Sequence, residues 1–175
     1  MSQLEQIKSA FERSIQALTL RPSVGQGTAT TTVRVRDGMS CEIEEGAWTM
    51  ASDLGEKAAG RDTGPNPGIL LRAALGSCLA IGYVRWAAHL GVPISDLEVE
   101  VQADYDARGE YGVADISPGY SAVRYVVRIE SEAPEADVRH LIDTADAHTS
   151  ILDVFRRPQS VRRTLHITTP TRTPT

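Results

Sequence analysis

The feature that most limits how this chain can fold is its middle segment, PGILLRAALGSCLAIGYVRWAAHLG, residues 67–91. Asn66 is suited to cap a helix, Pro67 suits a first turn, and Gly91 with Pro93 marks a stop. The spacing predicts one long helix spanning roughly 36 Å. It is apolar nearly all round, so it must be covered on most sides. Gly76 and Gly82 lie inside it, each costing about 1 kcal/mol relative to Ala. Close approach of another backbone is the expected gain. A buried helix this long in a small domain also implies that a second subunit helps to cover it.

The rest of the chain arranges itself around that helix. Apolar residues Leu4, Ile7, Ala10, Phe11, Ile15 and Leu18 recur every three or four positions and predict a surface helix over 3–19 that ends near Arg21-Pro22. The run TATTTVRV, 28–35, favours a strand. Asp37-Gly38 is a hairpin signal, and strands follow around 40–44 and 47–51. Residues 53–66 form a Gly- and Asp-rich loop. Leu97, Val99 and Val101 alternate with Glu98, Glu100 and Gln102, a half-buried strand over 96–107. A turn-rich stretch, 109–119, leads to a strand over 120–131. A helix from Pro134 to about Ala147, a short helical turn over 150–155 and a last strand over 160–168 complete the pattern. It predicts an α+β fold with a largely antiparallel sheet packed around a long buried central helix and a second helix. The organisation is an extra N-terminal helix, 1–22, a main domain, 23–169, and a frayed tail, 170–175.

Composition excludes several classes. The length of 175 residues allows one domain with its own core. A formal net charge of −5 argues against a nucleic-acid binder, which needs a basic face. Arg156-Arg157 and Arg162-Arg163 make only a local basic cluster. Arg72, Arg85 and His89 interrupt the long apolar stretch, which a membrane span rarely tolerates. The N-terminus lacks the apolar block of a signal peptide. Two cysteines, Cys41 and Cys78, are neither a disulfide scaffold nor a metal set, and His140 and His166 have no metal-like spacing. The expectation is a cytoplasmic protein with reduced thiols, no metal and no cofactor.

Cys78, in ALGSCLA, is the one candidate reactive centre. Buried cysteines commonly act as small inert hydrophobes. A reactive one needs a lowered pKa, and Cys78 lies too far into its helix for the dipole to supply that. A cation must come from elsewhere in the fold. Arg85 and His89 mark a solvated or subunit-facing side of the helix. Trp48, Tyr83, Trp86 and Tyr125 are expected in the core or at an interface.

The stretch GPNPGILLRAALGSCLAIG resembles the helix of the OsmC/Ohr family (osmotically inducible protein C and organic hydroperoxide resistance proteins) that carries Ala-Ala-x-x-x-Cys. LGVPISDLEVEV resembles the strand after that helix, and DTADAHTSILDVFRRPQSVRRTL resembles the family's second helix, short helix and last strand. Together they span about 28–167, leaving the N-terminal helix outside. The resemblance implies an intertwined homodimer that reduces organic hydroperoxides with a cysteine pair at its interface. The first cysteine attacks the O–O bond as a thiolate, the second resolves the resulting sulfenic acid as a disulfide, and a thiol reductant resets the pair.

Carried over by position, the resemblance makes Cys78 the attacking cysteine and Arg36 its supporting cation, with Arg34 as the alternative. The family's supporting glutamate falls on Gly68. The resolving cysteine falls on Thr149, which His148 precedes, and both are candidate binding residues. A threonine hydroxyl forms no disulfide, so this is a divergent member without the resolving cysteine. Cys41 is a candidate substitute, and an external thiol or dithiol acting in a one-cysteine cycle is another. The alternative is an inactive homodimer that binds a small apolar ligand or serves a structural role. A third, separate expectation is that the helix over 3–19 docks a partner protein or lengthens the dimer interface.

Overall fold

The computed structural model describes residues 2–168. Helix α1 (Gln3–Leu20) opens the chain with a capping box, in which the Ser2 and Glu5 side chains bond each other's backbone N–H. Strands β1 (Thr32–Asp37), β2 (Ser40–Glu45) and β3 (Trp48–Ser52) form an antiparallel meander. Its hairpins turn at Gly38 and Gly46, with φ of +59° and +57°, a region that L side chains rarely occupy. Buried Asp53 closes the loop that follows by accepting from the backbone of Leu54, Arg61 and Thr63 and from the Thr63 hydroxyl. Burial alone would raise its pKa, but these donors together hold it below the usual carboxylate value.

Helix α2 (Pro67–Leu90) starts where the Asn66 side chain accepts from the Ile69 N–H and ends at left-handed Gly91. Strands β4 (Asp96–Asp104) and β5 (Ala122–Glu130) pair antiparallel in a second sheet, joined through the short helix α3 (Ala107–Glu110). Helix α4 (Glu135–Ala147) and helix α5 (Ser150–Arg156) complete the regular structure. The sequence-predicted elements are present, each within a few residues of its expected ends, except one.

That exception is the strand expected over 160–168. These residues run outside any ladder, with Val161 90% and Ile167 83% exposed. A strand needs a neighbouring edge to satisfy its N–H and C=O groups, and among the described residues none pairs with it. The tail expected at 170–175, with Thr169, lies outside the described residues.

The core lies where α2 crosses the β4–β5 sheet. Leu75, Leu79 and Tyr83, one helical stripe, are fully buried with Ala145 of α4 and Leu152 of α5. Leu97, Val99 and Val101 of β4 and Val123, Tyr125 and Val127 of β5 pack beneath them. The sheet's other face is charged: Arg128 pairs with Glu98 and Glu100, and Arg124 with Asp104. The two helix glycines mark close approaches. A Cβ on Gly76 would lie 3.3 Å from the Val101 side chain, and one on Gly82 would lie 3.4 Å from the Thr149 hydroxyl. Helix α2 is long and apolar enough to cross a membrane by length and composition only, and here its Leu75, Leu79 and Tyr83 stripe packs into the core of a layered α+β domain.

Covering of α2 is incomplete, and Ile69, Leu71 and Ile81 outside the core stripe are exposed. The meander has the same asymmetry. Its register puts Val33, Val35, Ile43, Trp48 and Met50 on one face and Arg34, Arg36, Glu42 and Glu44 on the other. Trp48 on the apolar face is 76% exposed.

One polar cluster ties three core elements together. Asp146 of α4 accepts a 2.7 Å hydrogen bond from the Tyr83 hydroxyl of α2 and a second from the Tyr125 hydroxyl of β5. Tyr83→Phe is expected to cost about 1.5–3 kcal/mol, the worth of a bond to a charged acceptor. Asp146→Ala, which strands two inward hydroxyls, is expected to cost more. Urea denaturation of both variants checks the order.

Burial, reinforced by Asp146, pushes the Tyr125 hydroxyl up to about 12 and also raises Tyr83. The unfolded chain loses its tyrosine protons near pH 10, whereas the folded chain retains these two. Stability is therefore whole below pH 10 and falls as pH rises toward 12. Denaturation midpoints across that window are expected to drop in the native protein, and more shallowly in Tyr125→Phe.

Candidate functional site

Cys78 lies on the half-buried flank of α2, one position before Leu79 of the core stripe. Its neighbours along that flank follow from helical spacing: Ala74 one turn before, Ile81 and Gly82 one turn after, and Arg85 and Trp86 two turns after. All of them line one cavity of about 790 Å³. The junction between α4 and α5 supplies the opposite wall, through His148, Thr149, Ser150 and Ile151. Helix α1 supplies a third wall, through Phe11 and Ile15.

The junction is held tightly. Thr149 is buried, and its hydroxyl donates to the Ala145 carbonyl at 2.8 Å while facing Gly82. The next side chain reaches the thiol: Ser150 Oγ lies 3.8 Å from Cys78 Sγ, at the outer limit of a sulfur hydrogen bond. His148 caps α4, with its Nδ1 2.7 Å from the Thr144 carbonyl and its ring 4.9 Å from that of Trp86. His148 thus both ends α4 and lines the Cys78 cavity.

Of the residues singled out in the sequence, Cys78, His148 and Thr149 converge on this cavity. Arg36 does not line it within one chain. It sits on the charged face of the meander, bonded to Glu42, and Arg34 is likewise bonded to Glu44. Glu42 raises the Arg36 guanidinium through a hydrogen bond and its charge, and Arg36 in turn holds Glu42 below the usual carboxylate value. Cys41 lines a separate pocket with Ser52, Asp53 and Arg72, so one chain does not bring the two cysteines to a common cavity.

Gly68 also belongs to that second pocket. The Tyr120 hydroxyl accepts from Arg72 at 2.9 Å and donates to the Gly68 carbonyl at 3.2 Å. A Cβ on Gly68 would lie 3.2 Å from that hydroxyl. Tyr120 and Arg72 therefore fill the place where a longer side chain at 68 would stand.

Spacing from Cys78 could have revealed Arg85, which the sequence reading placed on a solvated or subunit-facing side. It is exposed, but it is also on the cavity wall, with its guanidinium 4.6 Å above the Phe11 ring. Phe11 could not have been found that way, because the seat of α1 on α2 is a tertiary contact. There Phe11 meets Trp86 edge-on at 5.1 Å and His89 at 5.6 Å. The Glu12 carboxylate lies 3.5 Å from His89 Nδ1.

The family model described as OsmC-like protein matches residues 60–163, more than half of the sequence, including the Cys78 helix and the α4–α5 junction. The chain belongs to the OsmC-like family. Its fold agrees with solved OsmC-like structures. An OsmC-like protein from Mycoplasma pneumoniae matches at a TM-score of 0.64 and 15% identity, over 75% of this chain and 89% of that one. An organic hydroperoxide resistance protein OsmC from Legionella pneumophila matches at 0.53 and 12%, over 74% and 90%. An OsmC-like hydroperoxide resistance protein from Jannaschia sp. matches at 0.50 and 21%, over 78% and 90%. No curated protein matches the chain. Helix α1 and the meander lie outside the segment that the OsmC-like family model matches.

The junction gives a direct geometric test. Ser150→Cys is expected to form a disulfide with Cys78 under mild oxidant, because the two side chains already approach each other. Thiol titration of the unfolded, unreduced variant should then find Cys41 alone reactive. Every thiol remaining free would show that the junction does not present position 150 to Cys78.

Proposed function

We propose that this OsmC-like protein is a cytoplasmic, homodimeric, thiol-dependent reductase of organic hydroperoxides, with Cys78 as its nucleophile. The observation that carries the reading is that the Cys78 thiol opens onto an apolar cavity large enough for an organic substrate, beside the Ser150 hydroxyl. In this reading the Cys78 thiolate attacks the terminal oxygen of the hydroperoxide. An S–O bond forms, the O–O bond breaks, and the departing alkoxide takes a proton to become an alcohol. The cysteine is left as a sulfenic acid. A low-molecular-weight thiol condenses with it, losing water and forming a mixed disulfide. A second thiol attacks the sulfur of the first, forming a disulfide with it and releasing Cys78 as a thiolate. No resolving cysteine is needed, consistent with Thr149 at the junction.

The cation for the thiolate is the remaining requirement. Arg36 is assigned that role, delivered to Cys78 from a second copy of the chain. The exposed apolar face of the meander, the open flank of α2 and the unpaired segment after α5 together favour such a copy. Exposed apolar surface on this scale marks association in soluble proteins.

The test follows consumption of an organic hydroperoxide by the full-length protein with an added thiol. Cys78→Ser is expected to abolish it, and Arg36→Ala to slow it about tenfold by reducing the thiolate fraction. Equal consumption by the native protein and Cys78→Ser sinks the reading.

A second reading is a binding protein without turnover. It is favoured by Tyr120 and Arg72, which occupy the space beside Gly68 and leave no supporting carboxylate there. A sulfenic-acid trap separates the two: an adduct at Cys78 after peroxide supports the reductase, and none supports the binding protein.

A further inference from the structure

We infer that Ser150 is a catalytic residue of this site, whose hydroxyl donates the hydrogen bond that holds Cys78 as a thiolate. The assignment rests on the reading of Cys78 as a nucleophile and supplies a donor from within the same chain.

A thiolate at position 78 cannot draw on its own backbone. Cys78 lies in the body of α2, where its N–H is already spent on the helix. The donor must be a side chain on the cavity wall, and the polar ones there are Ser77, Arg85, His148, Thr149 and Ser150. Four of them are turned elsewhere. The Ser77 hydroxyl donates to the Ala74 carbonyl at 3.3 Å, and the Thr149 hydroxyl to the Ala145 carbonyl at 2.8 Å. His148 Nδ1 lies 2.7 Å from the Thr144 carbonyl, and the Arg85 guanidinium lies over the Phe11 ring. Among the described residues, Ser150 is the wall group whose hydroxyl reaches the thiol, at 3.8 Å.

The position of Ser150 is set by its neighbour. Thr149 is buried, tied back to α4 and packed against Gly82, so the next side chain emerges over α2 at Cys78. No side chain caps the start of α5, and the Ser150 hydroxyl is therefore not drawn into capping.

Ionisation gives this contact its direction. Between a thiol and a hydroxyl either atom can donate, but a thiolate only accepts, so the Ser150 hydroxyl becomes the donor. A hydrogen bond to an ionised acceptor is roughly twice as strong as one between neutral groups. The contact therefore favours the charged form of Cys78 over the neutral one. Ser150 is exposed, so water competes for the same role and the effect is a few-fold change in thiolate fraction.

The test follows the ultraviolet absorbance of the thiolate in reduced, full-length Cys41→Ser protein from about pH 5 to 9, below the tyrosine range. Cys78 is then the one thiol, and protein carrying both Cys41→Ser and Cys78→Ser is the blank. Absorbance needs no reagent to reach the sulfur, so altered access to the cavity does not move it. Ser150→Ala is expected to displace the ionisation curve to higher pH by about half a unit, a threefold loss of thiolate on its lower limb. Ser150→Thr, which keeps the hydroxyl, should follow the parent protein. An unmoved curve in Ser150→Ala, or a Ser150→Thr curve that matches Ser150→Ala, overturns the inference. Hydroperoxide consumption does not enter these curves. A displaced curve in a protein that consumes no hydroperoxide would keep the Ser150 donor and sink the reductase, and an unmoved curve with Cys78-dependent consumption would do the reverse.

Discussion

Everything in this domain is arranged by the need to cover one apolar helix. Helix α2 presents Leu75, Leu79 and Tyr83 to the β4–β5 sheet, and α4 and α5 close over the same stripe. Removing any of the large aliphatic groups would cost about 2–5 kcal/mol through lost transfer energy and cavity formation. Two glycines let the packing succeed, by allowing β4 to approach at Gly76 and the α4–α5 junction at Gly82. The candidate site follows from the second approach. Because the junction comes so close to α2, the Ser150 hydroxyl stands beside the Cys78 thiol.

The core carries one polar element that a purely apolar account omits. Tyr83 and Tyr125 both direct their hydroxyls to Asp146, so a helix, a strand and a second helix share one acceptor. A carboxylate partly withdrawn from water needs its oxygens satisfied, and here each receives a donor. The arrangement also fixes the rotation of α4 about its own axis. That rotation determines where Thr149 and Ser150 emerge at its C-terminal end.

Much of this was legible in the sequence because it depends on local pattern. The Asn66-Pro67 start and Gly91 stop of α2, the period-two alternation of β4 and β5, and the Gly38 and Gly46 turns each have short-range causes. The Cys78 helix also carried the family. What escaped the sequence depends on tertiary partners. The stretch 160–168 has the composition of a strand but finds no ladder among the described residues, since pairing belongs to a neighbour and not to the segment itself. The convergence of Asp146 with two tyrosines was invisible for the same reason. Arg85 was partly legible, because helical spacing places it on the Cys78 flank, but only the position of Phe11 turns that flank into a cavity wall.

Trp86 has a further consequence. Its indole meets Phe11 from α1, His89 from its own helix and His148 from the end of α4. This tryptophan therefore touches two imidazoles with different attachments. The His89 ring travels with Trp86 on α2, whereas the His148 ring belongs to the cavity's opposite wall. The spacing of Trp86 and His148 is thus set by the width of the cleft beside Cys78, and that of Trp86 and His89 is not.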